Sequence, residues 1–146
     1  MKSDNAMLAG LAFGAAAVSC CSFGLARLLT PSCMYIAPLG VLHGASTIAA
    51  EYSRAREWAA LSFESYKTQY SVQVDQEGQA LVLFVDTLGH GKHPHRYTFH
   101  EVLRVTGTGW IRQIHRVELH GERAALQEYL SSIFVAPARE LGSGGG

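Results

Sequence analysis

The chain has 146 residues, and its 12 basic and 12 acidic residues give a formal net charge of zero. This length leaves room for one small domain beside any membrane segment. A balanced charge argues against nucleic acid as a partner, because phosphate binding needs an excess of basic residues. Almost all of the charges follow residue 50, so the first third of the chain is unusual.

Two apolar runs occupy the first fifty residues. Residues 6–29 are almost entirely apolar or small, and residues 33–50 are apolar again after a break at residues 30–32. Each run approaches the roughly 20 residues that a helix needs to cross a bilayer. The sequence therefore predicts a transmembrane helical hairpin over residues 1–50, held in the lipid bilayer. Basic residues outside the two runs favour a bacterial inner membrane protein with both termini cytoplasmic.

Two alternatives remain open for this region. Residues 17–20 resemble the cleavage box of a lipoprotein leader, so the N-terminus is alternatively a cleaved signal. The apolar run continues to residue 29, which is long for a leader. The second alternative is an apolar helical pair outside the membrane.

Small residues recur at helical spacing in the first run. Gly10 and Gly14 stand four residues apart, with Ala6 one turn earlier and Gly24 further along. Small residues at this spacing let two helices approach closely. The close approach is made either to the second span or to another chain, and we expect a homo-oligomer through Ala6, Gly10, Gly14 and Gly24.

His43 lies inside the second apolar run. An ionisable side chain at membrane depth is a functional candidate. The alternative is a neutral histidine that is hydrogen-bonded within the hairpin.

A helical pattern continues beyond the membrane runs. Residues 51–68 are rich in Ala, Glu and Arg, with apolar residues at steps of three and four. This pattern predicts a juxtamembrane helix that continues the second span.

Residues 69–136 change to a strand pattern that ends in a helix. The segment Asp75 to Gly78 is typical of a hairpin turn in which glycine supplies a positive φ. Alternating or β-branched runs predict four strands, over residues 69–74, 80–86, 96–105 and 110–119. An amphipathic helix follows over residues 122–134, and it must cover the sheet because neither element can bury its apolar face alone.

The predicted fold class is therefore α+β. A transmembrane helical hairpin precedes a small antiparallel sheet of about four strands, which a C-terminal helix caps. The Gly-rich tail over residues 137–146 is expected to be a linker outside the domain.

One stretch carries a resemblance to a known group. Tyr97-Thr-Phe-His-Glu-Val-Leu103 leads into a strand, and a final strand and an amphipathic helix follow. This arrangement over residues 66–134 resembles small bacterial membrane-anchored proteins with a PH-like cytoplasmic domain. The resemblance implies a PH-like domain over residues 69–136, acting as a binding or scaffolding module without a known activity.

Histidines cluster in the loop between the second and third of these strands. His90, His93 and His95 lie close together in a glycine-containing segment. Such a cluster can bind Zn²⁺, Ni²⁺ or Cu²⁺ weakly, and the alternative is a solvated loop. His115 shares a strand face with Val117 and Leu119, so we expect it to be partly buried.

The sequence contains no nucleophile elbow, paired-carboxylate motif or phosphate loop. It therefore predicts no enzyme and no cofactor. The predicted function is a membrane-anchored structural or interaction protein that oligomerises through its transmembrane helices and presents a cytoplasmic module to an unidentified protein partner. The alternative is a small pore-forming protein of the holin or toxin type.

Overall fold

The computed structural model describes residues 2–19 and 22–134, and these residues form helices on one side of a single sheet. The helices are α1 (Lys2–Val18), α2 (Ser22–Ala26), α3 (Ala45–Ser62) and α4 (Glu122–Ile133). The strands are β1 (Leu29–Ala37), β2 (Gly40–His43), β3 (Ser65–Val74), β4 (Ala80–Gly89), β5 (His95–Val105) and β6 (Ile111–Glu118).

The six strands lie in the order β2-β1-β6-β5-β4-β3. β1 and β6 run parallel, and every other neighbouring pair is antiparallel. The turn between β3 and β4 begins at Asp75, whose N–H donates to the Gln79 carbonyl at 2.9 Å. Gly78 has a φ of 79° in this turn, which confirms the predicted hairpin with a glycine at positive φ.

The core lies between the inner face of the sheet and helices α1 and α3. Phe13 of α1 and Ile48 of α3 are both fully buried there. They pack with Val82 of β4, Leu103 of β5 and Ile114 of β6. These three residues occupy inner-face positions of the central strands and face the helices. A second, smaller cluster of Ala59, Phe63 and Leu88 lies at one end of the sheet, where α4 packs.

The predicted transmembrane hairpin over residues 1–50 is wrong. No helix among the described residues is both long and apolar enough to cross a membrane. The first apolar run forms α1, which buries Ala6, Ala9 and Phe13 against the sheet but exposes Leu8. Its apolar composition reflects many small alanines, which helix surfaces tolerate.

The second apolar run forms a β-hairpin instead of a span. β1 and β2 pair antiparallel, and Ala37 lies opposite Gly40. Pro38 and Leu39 therefore make the turn, where proline has no hydrogen bond to lose. The helix predicted over residues 51–68 is displaced toward the N-terminus, because β2 ends at His43 and the chain is helical again from Ala45. α3 begins at Ala45, after Gly44 with a φ of 96°, and β3 replaces its predicted end from Ser65.

All four predicted strands are present, but the sheet has six strands because β1 and β2 join it beside β6. The C-terminal helix does not cap this sheet as predicted. α1 and α3 already fill the inner face, so α4 lies at the edge of the core and buries none of its residues fully. The predicted linker at residues 137–146 lies outside the described residues.

Candidate functional site

The carboxyl group of one residue, Glu101, lies buried in the centre of the sheet. Glu101 of β5 is 0% exposed, and no other charged residue among those described is as deeply buried. It shares the inner face of β5 with Phe99 and Leu103, because side chains alternate along a strand. Its neighbours across the sheet are Val82 of β4 and Arg116 of β6.

Tyrosines from two other elements reach this carboxyl. The hydroxyl of Tyr52, on α3, donates to Glu101 Oε1 at 2.5 Å. Tyr35, on β1, packs edge-on against the Tyr52 ring, with the ring centroids 5.8 Å apart. The Tyr35 hydroxyl interacts electrostatically with both Glu101 and Arg116. Glu101 Oε2 has no hydrogen-bond partner among the described residues, although a buried carboxyl oxygen normally has one.

Arg116 supplies the positive charge on this face. Its guanidinium carbon lies 3.8 Å from the Phe99 ring centroid, and Nη2 donates to the Tyr97 hydroxyl at 3.1 Å. Its Nε lies 3.6 Å from the Glu118 carboxylate, with which Arg123 also pairs. Fixed on both sides in this way, the cation is held next to the buried carboxyl.

The surroundings place the pKa of Glu101 near neutrality. Burial raises this pKa from 4.5 to about 7, although the Tyr52 hydrogen bond and the Arg116 charge oppose the rise. Burial, and then the Glu101 charge, raise the pKa of Tyr52 well above its ordinary value. Glu101 can therefore take up or release a proton at neutral pH, while Tyr52 stays protonated and remains a donor.

A second carboxyl, Asp86, lies further along the inner face. Burial raises its pKa, and the Thr68 hydroxyl, which donates to its Oδ1 at 2.8 Å, opposes the rise. The charge of Arg116 lowers the pKa of Asp86 as well as that of Glu101. Arg116 therefore acts electrostatically on both carboxyl groups.

Glu101, Tyr35, Tyr52 and Arg116 together form what we call the polar group. A cleft of about 560 Å³ opens in front of the polar group, and we call it the central cleft. Its polar end includes Tyr35, Tyr52 and Arg116, and the charged residues Glu51 and Arg123 also line the cleft. Its apolar walls come mainly from the β1–β2 hairpin and from α3, and they include Ala37, Leu39, Val41, Leu42 and Ala55. Glu101 has no exposed surface and lies behind the polar end, so a molecule in the cleft would touch the tyrosines and reach Glu101 only through them.

The small residues predicted to mediate oligomerisation lie elsewhere. Ala6 is fully buried, and a Cβ atom on Gly14 would lie 2.2 Å from Cδ2 of Tyr70. The close approach predicted for this helix is therefore made to the chain's own sheet, and Gly10 likewise faces Val72. Gly24 lies in the short helix α2. Oligomerisation stays a prediction, but its proposed contact face on α1 is occupied.

The histidines of the β4–β5 loop point to different partners. His90 Nδ1 lies 3.9 Å from the Glu64 carboxylate, and the His95 ring stacks on Tyr129 at 4.9 Å. The His93 carbonyl accepts a hydrogen bond from the Tyr129 hydroxyl at 2.6 Å. Within residues 2–19 and 22–134, no three potential metal ligands group together, so the geometry does not support the predicted metal site.

Two further histidines differ from their predicted surroundings. His43 is exposed at the end of β2, in a hairpin and not in a span. His115 is exposed on the outer face of the sheet, because Ile114 and Arg116 take the inner positions opposite Leu103 and Glu101.

The sequence interpretation missed every residue of the polar group. Glu101 appeared only as part of the stretch that carried the family resemblance. A signal was present, because Glu101 interrupts an otherwise apolar or aromatic face formed by Tyr97, Phe99 and Leu103. A charge at a core position of a strand marks either a mispredicted face or a buried functional group.

Comparison with known proteins identifies the fold and not a family. No protein-family model and no curated protein matches the sequence. An M. tuberculosis LEH-like epoxide hydrolase has a similar structure, with 14% identity and a TM-score of 0.63 over 91% of this chain and 98% of that one. A Xanthomonas campestris protein described as a candidate polyketide cyclase gives 14% identity and a TM-score of 0.63, over 91% and 99%.

A third similar structure is a Catenulispora acidiphila protein with a ketosteroid isomerase-like fold, in complex with trimethylamine. It is 14% identical, with a TM-score of 0.57 over 77% of this chain and 85% of that chain. The same fold is called NTF2-like in another solved structure. At these identities the likeness shows that the chain has the NTF2-like fold, and it shows nothing finer.

This likeness corrects several predictions. The domain is not PH-like, and the resemblance to small membrane-anchored bacterial proteins is wrong, because structures of the NTF2-like fold match 91% of this chain. The predicted membrane-anchored scaffold, the pore-forming alternative and the inner-membrane location depended on the hairpin, and they are withdrawn with it. The expectation that the chain is not an enzyme conflicts with the enzyme names that some similar structures carry.

Proposed function

We propose that this chain is an enzyme that transfers protons to and from a small, largely apolar molecule bound in the central cleft. The observation that carries the proposal is the fully buried Glu101, hydrogen-bonded to Tyr52 and placed next to Arg116 behind the polar end of the cleft. A carboxyl whose pKa lies near the working pH is suited to general acid–base catalysis.

The lining of the cleft defines the class of molecule. Aliphatic side chains such as Leu39 and Leu42 favour an apolar body, and Tyr35, Tyr52 and Arg116 favour one oxygen function at the inner end. Aromatic or alicyclic ketones and epoxides have this shape. The similar structures include an LEH-like epoxide hydrolase and a candidate polyketide cyclase, and these names refer to epoxides and to polyketides.

The residues divide the chemistry among them. Arg116 and the Tyr35 hydroxyl would stabilise negative charge that develops on the substrate oxygen. The Tyr52 hydroxyl would accept the proton that a ketone loses from its α-carbon, or that water loses as it attacks an epoxide carbon, and pass its own proton to ionised Glu101. The reverse transfer would return a proton to the enolate carbon, or to the oxygen that leaves the opened epoxide carbon. Because Glu101 is held behind Tyr52, it acts on the substrate through that hydroxyl.

The test is turnover of an enolisable cyclic ketone and an aromatic epoxide, followed by NMR in D₂O. We expect Glu101→Gln and Tyr52→Phe each to reduce turnover roughly 100-fold or more, the usual range for removal of a general acid–base group. His100→Gln is the matched control, because His100 neighbours Glu101 on β5 but lies on the other face of the sheet. Turnover by Glu101→Gln equal to that of the control would contradict the proposal.

A further inference from the structure

A second cleft, separate from the central cleft, is lined by a pair of arginines. It has a volume of about 510 Å³ and lies between the β3–β4 turn, the β5–β6 turn and the start of α1. Arg104 and Arg112 both line this arginine cleft, together with Asn5, Gln79 and Thr106. It shares no lining residue with the central cleft.

The guanidinium of Arg104 is oriented by the side-chain amide of Gln79. When the Gln79 amide oxygen faces Arg104, it accepts from Nε at 3.2 Å, and the amide nitrogen donates to Asp75 Oδ2 at 3.0 Å. The backbone N–H of Gln79 also donates to Asp75, at 2.8 Å, so Gln79 is held at two points. This arrangement uses Nε and leaves both terminal nitrogens of Arg104 available for a ligand.

The Arg112 side chain has fewer polar contacts than that of Arg104. Arg112 is exposed, and within the described part of the chain its side chain has neither a hydrogen bond nor an ion pair. Arg54, Arg116 and Arg123, by contrast, each pair with a carboxylate. Glu77 lines the same cleft, but it pairs with neither arginine.

The walls of the cleft are held in place. Asn5 Nδ2 donates to the Gly107 carbonyl at 3.0 Å and ties α1 to the β5–β6 turn. Within the turn, Thr106 Oγ1 accepts from the Trp110 N–H at 3.0 Å and lies 3.1 Å from the Thr108 hydroxyl. The two arginines therefore line an open cleft whose wall includes the Thr106 hydroxyl.

We propose that the arginine cleft binds a phosphate group. Two guanidiniums without carboxylate partners match the double negative charge of a phosphate, and each offers a planar edge for paired hydrogen bonds to its oxygens. A single carboxylate has half this charge and fewer acceptors. The ligand is either free phosphate or a phosphate monoester, and the two share this chemistry.

The experiment follows the Arg side-chain ¹⁵N signals of the full chain during titration with sodium phosphate, at ionic strength held constant with sodium chloride. We expect saturable shifts for Arg104 and Arg112. Arg104→Gln and Arg112→Gln should each weaken phosphate binding roughly tenfold, because each removes charge-assisted hydrogen bonds. Arg96→Gln is the matched control, since Arg96 is an exposed arginine of the same strand outside the cleft.

Glu77→Gln provides a test of opposite sign. It removes the carboxylate that lines the cleft, so it should tighten phosphate binding without a change in the fold. Phenyl phosphate identifies the source: tighter binding than inorganic phosphate supports a monoester, and equal binding supports the free ion. Equal weakening by Arg96→Gln, or shifts that sodium chloride alone reproduces, would overturn the proposal, because the effect would then be general screening.

Discussion

Glu101 loses all of its contact with water on folding and gains one short hydrogen bond, from Tyr52. A buried carboxylate with an unpartnered oxygen is costly, and the group responds by holding its proton more tightly. The same response gives it a pKa suited to proton transfer. One residue therefore links a stability cost to the proposed chemistry.

The stability of the chain should depend on pH through this group. The pKa of Glu101 is about 7 in the folded chain and 4.5 ordinarily, so the folded state binds more protons between these values. The free energy of unfolding is therefore highest below pH 4.5, falls as pH rises to about 7 and is then constant, as far as Glu101 contributes. The full loss would be roughly 3 kcal/mol.

Urea unfolding of the wild type and of Glu101→Gln across this pH range measures the effect. Glutamine keeps an oxygen that can accept the hydrogen bond from Tyr52, but its side chain cannot ionise. The variant should therefore lack the part of the pH dependence of the unfolding free energy that Glu101 contributes. Asp86 and the histidines are present in both chains, and the difference between the two slopes isolates Glu101. Parallel slopes would mean that Glu101 ionises normally in the folded chain.

At the scale of elements, α1 depends on the absence of a side chain at Gly14. A Cβ there would lie between 2.2 and 2.7 Å from three ring atoms of Tyr70, closer than carbon atoms pack. Gly14→Ala should therefore displace α1 from β3 and lower the free energy of unfolding by about 1 kcal/mol or more, even after the gain in helix propensity.

Denaturant unfolding and light scattering together test this expectation. Gly107→Ala is the control, because a Cβ at Gly107 meets nothing within 4 Å. Loss of an oligomer in Gly14→Ala, with the stability of the subunit unchanged, would instead support the self-association predicted from the sequence.

The C-terminal helix should be supportive and not indispensable. Leu126, Tyr129 and Leu130 are only partly buried against the small end cluster, and the main core is built by α1, α3 and the sheet. A chain that ends at residue 121 also loses Ile133 and Phe134, so the free energy of unfolding should fall by about 5 kcal/mol, at roughly 1 kcal/mol for each of the five half-buried large side chains. Calorimetry should still show cooperative melting at a lower temperature, and a non-cooperative transition would place α4 in the core.

Elements with a clear period could be predicted from the sequence. Alternation located β3, and the turn at Gly78 fixed its pairing with β4. The β1–β2 hairpin could not be found in this way, because β2 has only four residues and residues 33–42 are apolar on both faces of the hairpin, so the length of the apolar run favoured a span. On β6 the sequence interpretation placed His115 inside because it shares a face with Val117 and Leu119, but Val117 is exposed and this face is the outer one.

At the scale of the whole molecule, the site depends on contacts between distant parts of the chain. Tyr35 comes from β1, Tyr52 from α3 and Arg116 from β6, and they meet only because β1 pairs parallel with β6 while α3 covers the inner face. A parallel pairing across about eighty residues leaves no local trace in the sequence. The polar group could therefore be suspected from Glu101 alone, but its members could not be named.

The most direct measurement is the ¹³C titration of the Glu101 side-chain carboxyl, assigned by comparison with Glu101→Gln, with and without a nitrophenol. We expect a pKa of about 7 in the free chain. A nitrophenolate held at Tyr35 and Arg116 should raise this pKa further, because a nearby negative charge disfavours ionisation of the carboxyl. Titration near 4.5, unchanged by the nitrophenol, would show that Glu101 is neither shifted nor coupled to the central cleft.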